Sequence, residues 1–454
     1  MHVVRWLIKP SKLTVYWLFA FSANLIALTA EIPPQIKPDA HYRLQIDKLN
    51  QIMLVELCLN DQIPRYLTNS NARAARRITS FMQGETRLIP KGAKVFLNTE
   101  DQHCLNYEIT TKSNERLQSN THIYRSLIIN TQRWLWYHPN FQYIDINVQD
   151  QKGKTLDAFF PFIKVGKLYD IRDKGLEWES KTIIDYLQTF RLPIGDSYLD
   201  VAISGVAQVR AHDWLNWIKR TAAAVASVYG AYPVNGTKVL VIPIGQRSGP
   251  IPWGEVQRGG FPSVHFYIDE TRSNAEFLSD WTGSHELSHV FLPKIASKDR
   301  WISEGIASYY QNIARSRHGL LPAAVAWRKL TEGFDRGRSA AGRTPLRNAN
   351  KIMHVYWGGV AYFFLADLRL REAGTSLPEV LHKFHQCCLP SFEQWHAKSL
   401  SKKFDTLSGT RIFSDLLKNE ANANQFPVSS RFDNEKTNQL LQKHLPTILE
   451  LSKK

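Results

Sequence analysis

The stretch "SHELSHVFLPKIASKDRWISEGIASYY", Ser284 to Tyr310, decides how this chain is read. His285 and His289 stand four residues apart around Glu286, and Glu304 follows behind Trp301 and before Gly305. On an α-helix, residues i and i+4 share a face, so both imidazoles can reach one tetrahedral ion. Glu286 adjoins the first of them, within reach of a water on that ion. Ser273 and Glu276 make an S-x-x-E capping pattern that predicts where the helix starts, and Pro293 predicts its end. The small residues Gly283, Ser284 and Ser288 suit a crowded, buried helix.

Two histidines leave a zinc ion under-coordinated, so a third protein ligand must come from another element. "WISEGIASYY" predicts a second helix with Glu304 near its start and Ile302, Ile306 and Ile313 on its apolar side. Gly305 costs a helix about 1 kcal/mol relative to Ala, and its position predicts close packing against the first helix. His285, His289 and Glu304 therefore read as a His₂Glu site for Zn2+ with one open position, the catalytic rather than the closed structural type. Glu286 is the expected general base, and peptide hydrolysis the expected reaction.

HExxH followed by W-x-x-E-G-x-A resembles the signature of gluzincin metallopeptidases in the peptidase MA-like superfamily, especially the alanyl-aminopeptidase and glycyl-aminopeptidase families. The resemblance implies an α+β fold: an N-terminal antiparallel β domain, then a thermolysin-like mixed α/β and helical zinc-peptidase domain. "VYWGGVAYFFLADLRLREAG" is similar to the Tyr-x-x-Gly segment of those families. That implies a role for Tyr356, whose hydroxyl would stabilise the tetrahedral oxyanion; His354 is the alternative two residues earlier. "FDTLSGTRIF" (404–413) is similar to the C-terminal helical part of the glycyl group. Two departures bear on specificity. The spacing from His289 to Glu304 is shorter than in the alanyl group, and no G-x-M-E-N segment, which holds a substrate's free amine, is present. "GEVQRGGFPSVHFYI" occupies a similar place, as an edge strand able to pair with substrate backbone, with Glu255 a candidate amine anchor. Exopeptidase and endopeptidase action both stay open.

Working outward, residues 31–205 read as an N-terminal β-sandwich domain. "YRLQI", "YIDINV" and "YLDVAI" alternate with period two, and Trp134, Trp136, Tyr137, Phe159 and Phe160 are expected in its core. Residues 206–454 read as the catalytic domain with a C-terminal helical part. "HDWLNWIKRTAAAVASVYG" places Trp214, Trp217, Ile218, Val225 and Val228 on one helical face, with Thr221 its polar member and Gly230 a stop. The connection "GQRSGPIPWGEVQRGG" follows a strand pattern but carries neither GxGxxG nor GK[ST], which excludes a nucleotide loop.

Residues 1–30 read as a signal peptide: Arg5, Lys9 and Lys12 precede the apolar run "LTVYWLFAFSANLIALTA". The alternative is a membrane anchor over residues 13–30, since the run approaches bilayer-spanning length. Loss of this segment leaves 54 basic against 41 acidic residues, a balance of +13. The basic residues are scattered and no nucleic-acid motif occurs, so no nucleic-acid partner is expected. Expected instead are a peptide or protein substrate, an exported (periplasmic or secreted) location, and membrane contact only through an uncleaved N-terminal segment; the oligomeric state is open. Of four cysteines, none sits in a CxxC pair. Cys58 and Cys104 are candidates for a disulfide in an oxidising compartment, while Cys387 and Cys388 read equally as thiols, a vicinal bridge or buried side chains. Two other functions remain beside the peptidase: a non-catalytic envelope binding or assembly protein on a peptidase fold, and a zinc hydrolase of a non-peptide bond.

Overall fold

Alternation in the strand Ala40–Asp47 puts Tyr42, Leu44 and Ile46 on one face, each at most 3% exposed. The computed structural model that shows this describes residues 36–70, 78–111, 126–172, 180–184, 187–205, 210–257, 262–391, 393–427 and 435–449; the expected signal segment lies outside them. Among the described residues, Ala40–Asp47 sits inside an eight-stranded sheet, hydrogen-bonded to Ile52–Leu59 on one side and Tyr143–Asp150 on the other. The pairing with Tyr143–Asp150 is parallel, so the sheet is mixed rather than purely antiparallel as expected. Almost a hundred residues separate the two strands, enough to return the chain to the same end of the sheet. Trp134, Trp136, Tyr137 and Phe160 fill the core of this layer, as expected. Its two central phenols are satisfied there: Tyr42 donates to the Trp136 carbonyl and Tyr107 to the Trp134 carbonyl. Cys58 and Cys104 face each other on adjacent strands and are bonded; Cys387 and Cys388 are bonded to one another.

A second sheet runs in the order Leu187–Ile194, Ser197–Ser204, Thr237–Pro243, Ser263–Ile268, Trp253–Gln257. Its first two strands belong by sequence to the 31–205 sandwich, yet Ser197–Ser204 pairs in parallel with Thr237–Pro243 from Leu199↔Thr237 to Ile203↔Val241. Burial on both faces accounts for the difference. Val201 and Ile203 join the core beneath the helices, while Ala202 joins a separate cluster with Leu240, Ile242 and Tyr267 on the opposite face. A strand covered on both sides is a central strand, not a half-buried sandwich strand. Trp253–Gln257 is the antiparallel edge of this sheet.

Helix α1 (Ala211–Ala226) connects the two parallel strands and buries Trp214, Trp217, Ile218, Thr221 and Val225. The capping box at Ser273 and Glu276 forms, but it opens only the short α2 (Asn274–Ser279). The chain turns extended at Asp280, whose carboxylate accepts from the Thr282 amide at 2.7 Å and starts α3 (Thr282–Ser288). One turn of 3₁₀ helix continues α3 through Phe291, and Leu292 is extended before Pro293, where proline disfavours helix in the preceding residue. Among the described residues the elements that follow are helical, including α4 (Arg300–Arg317), α5 (Ala323–Ala341), α6 (Ile352–Glu372), α7 (Leu377–Cys388), α8 (Ala397–Ser408), α9 (Ile412–Asn419) and α10 (Glu435–Leu449). Among the described residues, no helix is long and apolar enough to cross a membrane.

Gly305 does not pack against α3, as its position suggested, but against α6. A methyl group built on Gly305 would stand 2.6 Å from the backbone of Gly359, and one on Gly359 would strike the Trp301 carbonyl. The helices α4 and α6 therefore touch backbone to backbone. Because a main chain cannot swing aside as a side chain can, Gly359→Ala should destabilise the protein by about 2 kcal/mol despite alanine's better helix propensity. Chemical denaturation of the parent and the variant measures this.

Candidate active site

α3 and α4 lie side by side, and three side chains meet between them. His285 Nε2 is 3.4 Å and His289 Nε2 3.6 Å from Glu304 Oε2. The ligand atoms of His285, His289 and Glu304 all lie within 4.8 Å of one another, and the imidazole rings stand nearly perpendicular at 84°. Each ring is also held from behind. His285 Nδ1 is 3.1 Å from Gln311 Oε1, and His289 Nδ1 is 3.1 Å from Ser303 Oγ. An acceptor at Nδ1 keeps the proton there and turns the Nε2 lone pair into the shared space, which is what a metal-binding histidine needs. Two neutral imidazoles and one carboxylate fit a zinc ion with one position open to water or substrate.

α4 supplies the carboxylate and both of these supports. Gln311 falls seven residues after Glu304, two turns along the same face, and Ser303 precedes it. Sequence reading passed over both; the seven-residue spacing from Glu304 was the signal for Gln311. Burial alone would lower the pKa of His285, but the hydrogen bond it donates to Glu304 and the charges of Glu286 and Glu304 outweigh it and raise the pKa above the ordinary imidazole value.

Glu286 projects from the same turn as His285, its Oε2 3.9 Å from His289 Nε2. Its seat is Gly254 on the edge strand: a methyl group there would stand 2.5 Å from Glu286 Cγ and 2.9 Å from its Oε1. Only a residue without Cβ lets strand and carboxylate approach this closely. The next residue, Glu255, points across the strand in the opposite sense. Its carboxylate accepts from the Tyr267 hydroxyl at 3.0 Å and lies 3.2 Å from His265 Nδ1. Burial raises its pKa, but His265, Lys181 and Tyr267 together lower it below the usual carboxylate range. The candidate amine anchor is thus tied into the sheet.

Tyr356, one turn into α6, lies parallel to the His285 ring at 5.6 Å, where its hydroxyl feels the charge of Glu304. Burial, then the charges of Glu304 and Glu286, push its pKa well above that of a free phenol, so the hydroxyl stays a donor. His354, the alternative, is buried and stands outside the groove that Tyr356 lines. This groove holds about 850 Å³ between the edge strand and the two metal-site helices. Trp253 and Trp281 stand at its rim, 60% and 44% exposed, with the Trp281 ring edge-on to His285.

No protein family and no curated protein matches the chain in sequence. Solved structures do match in fold. An aminopeptidase N family protein from Idiomarina loihiensis aligns over 85% of this chain and 76% of its own, with a TM-score of 0.63 at 13% identity. A two-domain M1 zinc metallopeptidase, solved with L-arginine bound, aligns over 86% and 94% with a TM-score of 0.52 at 14% identity. The M1 zinc metallopeptidase from Deinococcus radiodurans covers the same shares, with a TM-score of 0.50 at 14% identity. With N-terminal sheets leading into a helical domain, the chain has the two-domain fold of the M1 zinc metallopeptidases.

Proposed function

We propose that this protein is an exported zinc-dependent peptidase. The observation that carries the reading is the convergence of His285, His289 and Glu304 with Glu286 and Tyr356 on one groove. His285, His289 and Glu304 would hold the ion. Bound there, zinc supplies a Lewis acid that polarises a carbonyl and acidifies water.

The chain's own residues divide the remaining work. Glu286, seated against Gly254, is fixed beside the metal site and takes a proton from the attacking water. The same carboxylic acid then returns that proton to the departing amine. Tyr356, held protonated, donates a hydrogen bond to the oxygen on which negative charge develops. The edge strand and the α3 face exclude bulk solvent from one side of Glu286, which is 11% exposed. Export rests on the basic-then-apolar segment 1–30, and the bonded Cys58–Cys104 pair is in keeping with an oxidising destination.

Metal content tests the site first. The parent should bind about one zinc per chain, and the double variant His285→Ala, His289→Ala should lose it. Full zinc occupancy in that variant rejects the ligand set.

Acid should release the ion, because an imidazolium has no lone pair to give. His285 has a raised pKa in the metal-free protein, so its proton competes from a higher pH than an ordinary histidine's value of about 6.5. Zinc titrations across a pH series should show affinity weakening already above that value. Affinity that stays constant down to pH 5 removes His285 from the coordination.

Activity tests the division of labour, with a substrate drawn from an unbiased peptide library. Glu286→Gln keeps the shape and should keep zinc while losing roughly 10³-fold or more in kcat, since both the base and the later acid disappear. Tyr356→Phe should cost roughly 10²–10³ in kcat with metal content intact. Hydrolysis by Glu286→Gln at the parent's rate would assign the activity to something other than this site.

A further inference from the structure

The groove differs in charge from end to end. Before α3, Asp280 lines it beside Trp281; beyond the end of α3, Lys294 and Arg300 line it. Helix α3 and its 3₁₀ extension, Thr282 to Phe291, lie between these ends, a separation of about 15 Å at 1.5 Å rise per residue. The metal-site histidines fall within that span. Asp280 is half-buried, and one of its carboxylate oxygens accepts from the Thr282 amide.

Arg300 is the opposite kind of group. It opens α4 four residues before Glu304, so the two side chains share a helix face and the same groove. Its charge acts on Tyr356. Arg272 is paired with Asp269 and Glu276, Arg315 donates to the Ser279 carbonyl, and Arg371 is paired with Asp367. Among the described residues, by contrast, no carboxylate or carbonyl engages the Arg300 guanidinium, and it stands exposed to the groove. A guanidinium presents a planar fork of donors that matches a carboxylate in two parallel hydrogen bonds. Lys294, further along the same wall, adds to the positive field at that end.

Building on the peptidase reading, we propose that Arg300 is a specificity residue that receives a carboxylate of the bound peptide, so that the site selects peptides with a negative group close to the scissile bond. That carboxylate is either the C-terminus of a short peptide or an aspartate or glutamate side chain. The two sources share one chemistry and are separable by experiment.

Binding is measured to zinc-loaded Glu286→Gln protein, which should hold peptide without turning it over. Tryptophan fluorescence provides the signal, since Trp253 and Trp281 stand at the groove. The probes are neutral tetrapeptide libraries as free acids and as C-terminal amides, and amidated libraries with one position fixed as Asp or Glu against Asn or Gln. In one of these pairs the charged member should bind about tenfold more tightly, and that ratio should fall towards one in the double variant Glu286→Gln, Arg300→Gln. Arg300→Lys should keep part of the ratio, because it restores the charge but not the fork. A free-acid preference identifies the C-terminus; an Asp or Glu preference identifies the side chain. Equal binding within both pairs, including no binding by either member, overturns the proposal, as does a preference that survives Arg300→Gln. Because the readout is binding, the two readings fail separately. Peptides that bind with the expected preference but are never cleaved by the parent reject the peptidase and keep Arg300.

Discussion

Helices α4 and α6 lie against one another with backbone on backbone, at Gly305 and Gly359. That contact fixes the spacing of the whole site. Glu304 is the neighbour of one glycine and Tyr356 sits three residues before the other, so the closest point of the crossing lies beside both functional groups. Any side chain at the crossing would push the helices apart and carry the phenol away from the carboxylate. Interiors pack too densely to absorb such a displacement elsewhere. The pair of glycines is therefore a spacer of zero thickness, and the nearness of Tyr356 to the Glu304 charge depends on it.

The same helix that makes this crossing organises the candidate metal site. From α4 come Glu304, which faces the histidines, and Ser303 and Gln311, which hold the rings by their other nitrogens. Ser308 adds a second oxygen 3.5 Å from His285 Nδ1. One rigid element thus sets the tautomer, the orientation and the third ligand together. Across the groove, Gly254 performs the complementary task for Glu286, letting the edge strand press the carboxylate toward the histidines. Two carboxylates and two imidazoles share this enclosed space, an arrangement that could hold a divalent cation.

Legibility in the sequence followed the range of the constraint. The pair His285 and His289 was readable because an i, i+4 relation is local. Glu304 was readable because it opens the next helix, and Tyr356 through the resemblance of its segment to a known family. Gly254 and the Gly305–Gly359 contact were not, since each depends on an approach between segments far apart in the chain. Asp280 was missed for a different reason: a strong capping box at Ser273 suggested one helix where the chain makes two. The fold class was legible from the change of period near residue 207. The strand Ser197–Ser204 was misplaced because alternation reveals a strand but not which neighbours it pairs with, and its partner lies beyond α1.

That misplaced strand has a practical consequence. Cutting the chain at 205, where the periodicity changes, would remove the two strands from Leu187 to Ser204 and leave Thr237–Pro243 with one side unpaired. A long apolar strand with open amides and carbonyls recruits another chain, so such a fragment is suited to edge-to-edge association rather than to monomeric folding. The helical half is, in that sense, not a separable module: its sheet is completed by residues that precede it, and the link between the halves of this protein is a ladder of main-chain hydrogen bonds rather than a tether.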